Sequence, residues 1–424
     1  MRNVLYITTR LFWPPVSGRQ VSLYNYCKGL HDLLGYQVHV YSFLEKGQSY
    51  TQAADKPDFI ESVKIAKPIS KCEMALNLAQ AMADKTMPLQ SCLYYSRANA
   101  ASIRSRAERI DADIVIIDMV RLASYADILD EYDCAVVQNF DDLLSERYKR
   151  QIGEKGGNIL GLYADNLPII LNKFVNGIMK DILLSKEARR LALAENRYAR
   201  SSDAVLLISP KEALELASRA AVSNCFYATM GCDIGALSVT TDEKEYDLGF
   251  VGNMNTAANQ AALRYIVDDI LPSLPGRTLR VIGVCPDGII KRYEGNGHIS
   301  FSGRVDSIVE HLSKCQLLLA PFVFGTGIKT KVIEAMGLGI PVVTNSIGLE
   351  GIAAKPGKDV MCADTTEGLI EAVIELCSNP DKRKRIAEGG KAYVADNHTW
   401  EKSIENLGKC IDFAISSHAS VKRK

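Results

Sequence analysis

No run of about 18 apolar residues, the length a bilayer-spanning helix requires, occurs in the 424-residue chain. A helical membrane span is therefore not expected. Nor is there an excess charge, because 50 Lys and Arg offset 50 Asp and Glu, so no global field attracts nucleic acid and no such partner is expected. The eleven cysteines are scattered and form no C-x-x-C pair, which argues against a zinc site or a redox motif. They read as small buried thiols of a reducing cytosol. Met1 leads directly into the apolar run VLYIT, without the charged n-region, long h-region and small-residue cleavage site of a signal peptide. A cytoplasmic protein is expected, with residues 422–424 as a frayed basic tail.

What is present is length enough for two or more domains, each burying its own core. The most informative stretch is residues 321–349, PFVFGTGIKTKVIEAMGLGIPVVTNSIGL. An apolar run enters a loop broken by Gly325 and Gly327, a helix follows from about Ile328, and a second apolar run ends at Asn345. With Thr326 between them, the two glycines leave the backbone uncovered, so their N–H groups and those opening the helix can point at an anion. Val332, Ala335 and Met336 form the apolar stripe, while Lys331 and Glu334 share the other face. Glu334 then projects about 6 to 9 Å beyond the anion-binding end, at ~1.5 Å per residue. That is the reach from a phosphate to its ribose, whose diol a carboxylate can hold. The competing interpretation is a surface Lys-to-Glu pair above a capped helix, worth about 0.2–0.5 kcal/mol.

The string GTGIKTKVIEAMGLGIPVV resembles the donor-site signature of family 4 glycosyltransferases, which have the GT-B fold and transfer sugars with retention. The resemblance implies that Glu334 binds the donor ribose and that the glycine-rich turn meets the diphosphate and the transferred sugar. Many members carry a second acidic residue eight positions before that glutamate, where this chain has Thr326. The family's P-P-x-x-G-G segment near the donor phosphates corresponds to Pro14, Pro15, Val16, Ser17, Gly18 and Arg19. An arginine thus stands in place of the second glycine. It can supply charge to the diphosphate or point to solvent, and both remain open.

Along the chain, residues 3–8, 22–34 and 37–43 read as a strand, helix and strand, with a glycine loop before the helix, making one βαβ unit. Strands are expected at 59–66, 113–118, 134–137 and 203–209, and helices at 72–84, 96–110, 121–131 and 186–200. Relatives often have a histidine at the turn after the strand at 134–137, where the match here is Asp141; it can touch a sugar, or it or Asp142 can cap the helix at Leu143. Residues 169–184, with Lys173 and Lys180, fit either a buried helix or a peripheral helix on a membrane holding a lipid-linked acceptor. In the second half, residues 247–252 read as a strand ending at Gly252. Relatives place a basic residue soon after it, whereas none occurs here before Arg264. Asn253 and Asn255 can bond phosphate or only shape the turn, and Lys329 or Lys331 can supply the charge instead. The resemblance also carries residues 301–305 past the nucleotide base and gives Arg304 a contact to base or phosphate.

The resulting fold class is α/β: GT-B, with two doubly wound Rossmann-like domains facing across a cleft. The divisions are residues 1–235 for the acceptor domain, 236–399 for the nucleotide-sugar donor domain, and 400–424 for a helix crossing back to the first domain. The expected function is sugar transfer from a nucleoside diphosphate sugar to an acceptor hydroxyl, with retention, in polysaccharide or glycolipid biosynthesis. Asp141, Lys329 and Lys331 are the catalytic candidates; Gly18, Arg19, Asn253, Arg304, Gly325, Thr326, Gly327 and Glu334 are the donor-binding ones. No metal or resident cofactor is expected, because a helix dipole and lysines can neutralise the leaving diphosphate. The resemblance further implies that a phosphate oxygen takes the acceptor proton. The alternatives are a non-catalytic nucleotide-sugar or glycan-binding protein of the same fold and a nucleotide-sugar epimerase.

Overall fold

The structure, a computed structural model, describes residues 2–45, 47–49, 51, 55–84, 86–152, 178–232, 244–325 and 327–421. The chain separates into two compact units. The first comprises residues 1–229 with 401–424, and the second residues 230–400.

The first unit is built on a parallel sheet of β1 (Asn3–Thr8), β2 (Gln37–Ser42), β3 (Ile60–Ile65), β4 (Ile114–Asp118), β5 (Ala135–Asp141), β6 (Ala204–Leu207) and β7 (Cys225–Tyr227). The spatial order is β3-β2-β1-β4-β5-β6-β7. Helices α1 (Gly18–Asp32), α2 (Lys71–Ala83), α3 (Arg97–Arg109), α4 (Leu144–Arg150), α5 (Ile178–Ser201) and α6 (Pro210–Ala220) connect the strands. Central strands such as β1 and β4 are buried on both faces, which is why they read as unbroken apolar runs rather than alternating ones. Each fully buried Leu or Ile there, such as Leu5 and Ile117, contributes roughly 1.5–3 kcal/mol.

The second unit repeats this plan with β8 (Tyr246–Val251), β9 (Leu279–Ile282), β10 (Ile299–Phe301), β11 (Cys315–Ala320), β12 (Val342–Thr344) and β13 (Met361–Cys362), in the order β10-β9-β8-β11-β12-β13. Its helices are α7 (Ala257–Arg264), α8 (Asp287–Tyr293), α9 (Ile308–Ser313), α10 (Thr330–Gly337), α11 (Thr366–Ser378) and α12 (Pro380–Asn397). Helix α13 (Trp400–Val421) opens at Trp400, in this unit, and from Glu401 onward belongs to the first. In each sheet the strand order reverses beside the first strand, between β1 and β4 and between β8 and β11. Ligands of doubly wound sheets lie beyond the carboxyl ends of strands at such points.

Several local expectations need correction. Residues 121–131 do not form a regular helix; a short 3-10 segment (Val120–Tyr125) follows Met119, whose φ is +64°. The chain is tied down there by side chains rather than by an amphipathic face, since Tyr125 Oη donates to the Tyr94 carbonyl at 2.6 Å. Strand β5 continues to Asp141, pairing with β6 from Val137 and shifting register between Asn139 and Asp141. Helix α1 starts at Gly18 instead of residue 22, because Gln20 Oε1 accepts from the N–H groups of Val16 and Ser17 at 3.3 and 3.1 Å. The membrane-surface interpretation of residues 169–184 falls mostly outside the described residues. Among the described residues, no helix is long and apolar enough to cross a membrane.

Candidate active site

The carboxyl-end rim of the second sheet is stripped of side chains where it turns. Gly283, at φ +124°, follows β9 so closely packed on the end of β8 that an added Cβ would lie 2.2 Å from the Gly252 carbonyl oxygen. Gly303, at φ +68°, follows β10, and Gly325 and Gly327, at +142° and +74°, follow β11. Only glycine adopts such backbone conformations without strain. Thr326, between the last two, lies outside the described residues. Asn345, at the end of β12, pins the loop after β11: its amide donates to the Phe322 carbonyl at 2.7 Å and its Oδ1 accepts from Phe322 N at 3.2 Å.

Helix α10 leaves this rim with its amino end open. Side chains of Thr256, Ser307, Thr365 and Asn379 close α7, α9, α11 and α12, but no side chain caps α10, whose N-cap position is Lys329. An uncapped amino end carries unsatisfied N–H groups and about half a positive charge. Lys329 Nζ folds back over the same loop, donating to the Gly327 carbonyl at 2.8 Å and lying 5.5 Å from the Phe322 ring centre. Val332, Ala335 and Met336 are buried, as their spacing predicts. Lys331 Nζ and Glu334 Oε2 pair at 3.1 Å, each side chain 36% exposed. The surface pair is thus made, and it places Glu334 about 6 Å along the helix from Thr330, at ~1.5 Å per residue.

Asn253 has a local role, its Oδ1 accepting from Asn255 N at 3.0 Å and its carbonyl from Asn259 Nδ2 at 2.9 Å. Arg304 is exposed beside Gly303. Gly252, Asn253, Arg304, Gly325, Gly327, Lys329 and the start of α10 therefore share one strand edge of one unit.

The corresponding edge of the first unit holds a charge cluster. Arg19, next after Gly18 in α1, donates from Nη1 to Asp141 Oδ1 at 2.7 Å and from Nε to Asp118 Oδ1 at 3.1 Å, with Nη2 also on Asp118. Thr9 completes the shell, its N–H and hydroxyl donating to Asp118 Oδ2 at 3.2 and 2.8 Å. Arg19 is only 9% exposed, so it neither points to solvent nor offers an unpaired charge. Burial alone would raise the Asp118 carboxyl, but Arg19 and the Thr9 bonds outweigh it and hold the group below its usual range. For Asp141 burial wins: reinforced by Asp142 and Asp118, it pushes the carboxyl up against the pull of Arg19. Arg147 also pulls it down but does not offset the burial, and Asp141, still 17% exposed and at φ +67°, is the member left able to take a proton.

Neither aspartate caps α4, because Asp142 instead accepts from Arg147 Nε at 2.7 Å. Glu212, in the first turn of α6, accepts from Leu143 N at 3.2 Å, and burial, then Asp142, pushes its carboxyl up to about 8. Sequence reasoning missed Thr9, Asp118, Glu212 and Asn345. The signal for Asp118 was a lone acid closing the apolar run IVIID. An Asp-x-Asp tripeptide, Asp111-Ala112-Asp113, precedes β4 and so lies at the sheet's opposite edge, with Asp113 accepting from Asn3 N at 2.7 Å. Among the described residues, no cluster of three His, Cys, Asp or Glu could hold a metal ion.

Comparison with known proteins bears on both units. Anabaena HepE in complex with UDP superposes with a TM-score of 0.65 at 12% identity, over 97% of this chain and 100% of that one. The fold is GT-B. Within this GT-B chain, residues 245–379 match the family model for glycosyl transferases group 1. The GT-B chain is also 24% identical over 173 residues to an uncharacterized 44.6 kDa protein in the cps region of Klebsiella pneumoniae, covering 38% of this chain and 44% of that one. An uncharacterized glycosyltransferase of Methanocaldococcus jannaschii is 28% identical over 116 residues, 26% of this chain and 32% of that one. The match thus spans less than half the length of these curated relatives.

Proposed function

We propose that the protein is a glycosyltransferase that moves a sugar from a nucleoside diphosphate sugar to an acceptor hydroxyl. The observation that carries this is the uncapped amino end of α10, set on a glycine rim within the segment that matches the group 1 glycosyltransferase model. A diphosphate fits there by charge: backbone N–H groups, the helix dipole, Lys329 and Lys331 all act on the leaving group as its negative charge grows. Glu334 exchanges its pairing with Lys331 for the ribose diol. HepE, of the same fold, has been solved with UDP, and a uridine nucleotide is the first ligand to try.

The finer parts of the proposal are retention of configuration, transfer without a metal ion, an acceptor in glycan or glycolipid synthesis, and a cytoplasmic setting with peripheral membrane contact. On the first unit Asp141 is assigned to a sugar hydroxyl, because its carboxyl is the partly exposed, proton-accepting member of the Arg19 cluster.

A non-catalytic nucleotide-sugar binder is the second reading, favoured by one observation. The arginine at the second-glycine position is consumed by Asp118 and Asp141 and so adds no free charge. Incubation with a panel of nucleoside diphosphate sugars, with membranes and cell glycans as acceptors, separates the two. Release of a nucleoside diphosphate with labelled acceptor is expected. Binding without turnover favours the second reading, and neither binding nor turnover overturns both.

A further inference from the structure

The turn that leaves β5 is tied down residue by residue. The Asp141 carbonyl accepts from Ile208 N at 2.7 Å, Asp142 Oδ2 accepts from Arg147 Nε at 2.7 Å, and Leu143 N donates to Glu212 Oε1 at 3.2 Å. Two of these ties come from the corner between β6 and α6, where Ile208 follows the strand and Glu212 sits in the helix's first turn. Asp141 stands at φ +67°, a conformation that a residue with a Cβ keeps only where its surroundings impose it.

Each carboxyl at this corner has one oxygen left over. Among the described residues, nothing hydrogen-bonds Asp142 Oδ1 or Glu212 Oε2, although both atoms are buried and the Asp142 side chain is only 3% exposed. Glu212 holds the amide of the residue next after Asp142, and Asp142 is the charge that acts on it most strongly. An ionised carboxylate only accepts, so two ionised neighbours would leave both oxygens without a donor, and an unpaired buried acceptor is costly. One proton between the carboxyls satisfies both oxygens at once. The other charges acting on Glu212 are Asp141 from β5 and Arg147 from α4, and Arg147 gives Nε and Nη2 to Asp142 Oδ2. Of the other elements packed on α6, α5 carries Glu195, engaged by Arg219 Nη2 and Ser145, and Arg200, engaged by the Ala220 carbonyl. Strand β6 has no ionisable side chain, and β7 has only Cys225 and Tyr227.

We propose that Asp142 and Glu212 share one proton, and that this proton fixes the turn carrying Asp141, making Glu212 a positioning residue for the sugar hydroxyl assigned to Asp141. The positioning role rests on the glycosyltransferase reading; the shared proton does not. With the proton in place, Glu212 Oε1 keeps the Leu143 amide while Oε2 bonds Asp142 Oδ1. With the proton gone, two carboxylates repel across the same turn, which releases Asp141 from its left-handed conformation.

The test joins infrared difference spectra of the full chain, recorded as pH is raised, with sugar-transfer assays over the same range. The unaltered chain should show a protonated carboxyl band that is lost as pH passes about 8. E212Q, whose amide keeps both bonds at every pH, should lack this band, and D142N, which removes the neighbouring charge, should lose it at lower pH. The kcat/KM of the unaltered chain relative to E212Q should fall about tenfold from about pH 7 to about pH 9. UDP affinity should stay equal for the two proteins at each pH. An E212Q spectrum matching that of the unaltered chain, or a band that D142N leaves at the same pH, overturns the shared proton. A flat ratio of kcat/KM across the range overturns the positioning role and spares the glycosyltransferase reading. A titrating band in a chain that turns over no nucleoside diphosphate sugar supports the shared proton and removes the positioning role together with that reading.

Discussion

Arg19 Nη1 stands 2.7 Å from Asp141 Oδ1, joining the start of a helix to the end of a strand 122 residues later. The same guanidinium holds Asp118, whose side chain is fully buried. Arg19→Met keeps most of the stem and removes the charge, leaving Asp118 buried without its partner. A loss of about 3–5 kcal/mol is expected from urea unfolding. Asp118→Asn in the same chain should recover much of it. A loss below ~1 kcal/mol would mean that the cluster is not the fixed structure described.

That cluster shows where sequence reasoning reached its limit. Strand β1 was legible residue for residue, because a buried parallel strand is an apolar run with polar ends. The stripe of Val332, Ala335 and Met336 was legible because helical spacing is local. Arg19 was not: its partners lie 99 and 122 residues away, and only the sheet order brings them together. The same holds for Glu212, which lies 69 residues from the Leu143 amide it accepts from. The segment at 121–131 looked helical by composition, but the backbone at Met119 had already turned the chain.

Glu212 gives the fold a pH dependence. Its folded carboxyl titrates near 8, above the ordinary value near ~4.3, so the folded state binds the extra proton. Stability from this group is therefore greatest below about pH 4 and declines as pH rises, the decline being complete above about pH 8. Urea midpoints measured from pH 5 to 8 should fall more steeply for the unaltered protein than for Glu212→Gln. Parallel curves would contradict the assignment.

Two glycines should respond oppositely to alanine. At Gly283 a Cβ would meet the Gly252 backbone, and φ is +124°, so Gly283→Ala should cost more than ~2 kcal/mol. Gly288, in α8, has nothing within 4 Å of such a Cβ and should gain up to ~1 kcal/mol. Thermal midpoints moving in the same direction would count against the tight rim.

Lys329 and Lys331 are the cations placed at the open end of α10. Their double alanine variant should bind a nucleoside diphosphate about tenfold to a hundredfold more weakly, since hydrogen bonds to charged groups contribute ~1.5–3 kcal/mol. Binding of the nucleoside alone should change little. Fluorescence titration at two salt concentrations separates these effects, and an equal loss for both ligands would remove the diphosphate assignment.

The central claim is that α10 binds a nucleotide, with Glu334 on its ribose. Calorimetric titration of the unaltered chain and Glu334→Ala with nucleoside diphosphates tests it most directly. At 36% exposure the Lys331 pair contributes only ~0.3–0.5 kcal/mol, so the variant should keep its thermal midpoint within about a degree or two. Its affinity should nevertheless fall about tenfold or more, through lost hydrogen bonds to a carboxylate. Unchanged affinity in a folded variant, or no nucleotide binding by the unaltered chain, would contradict the account.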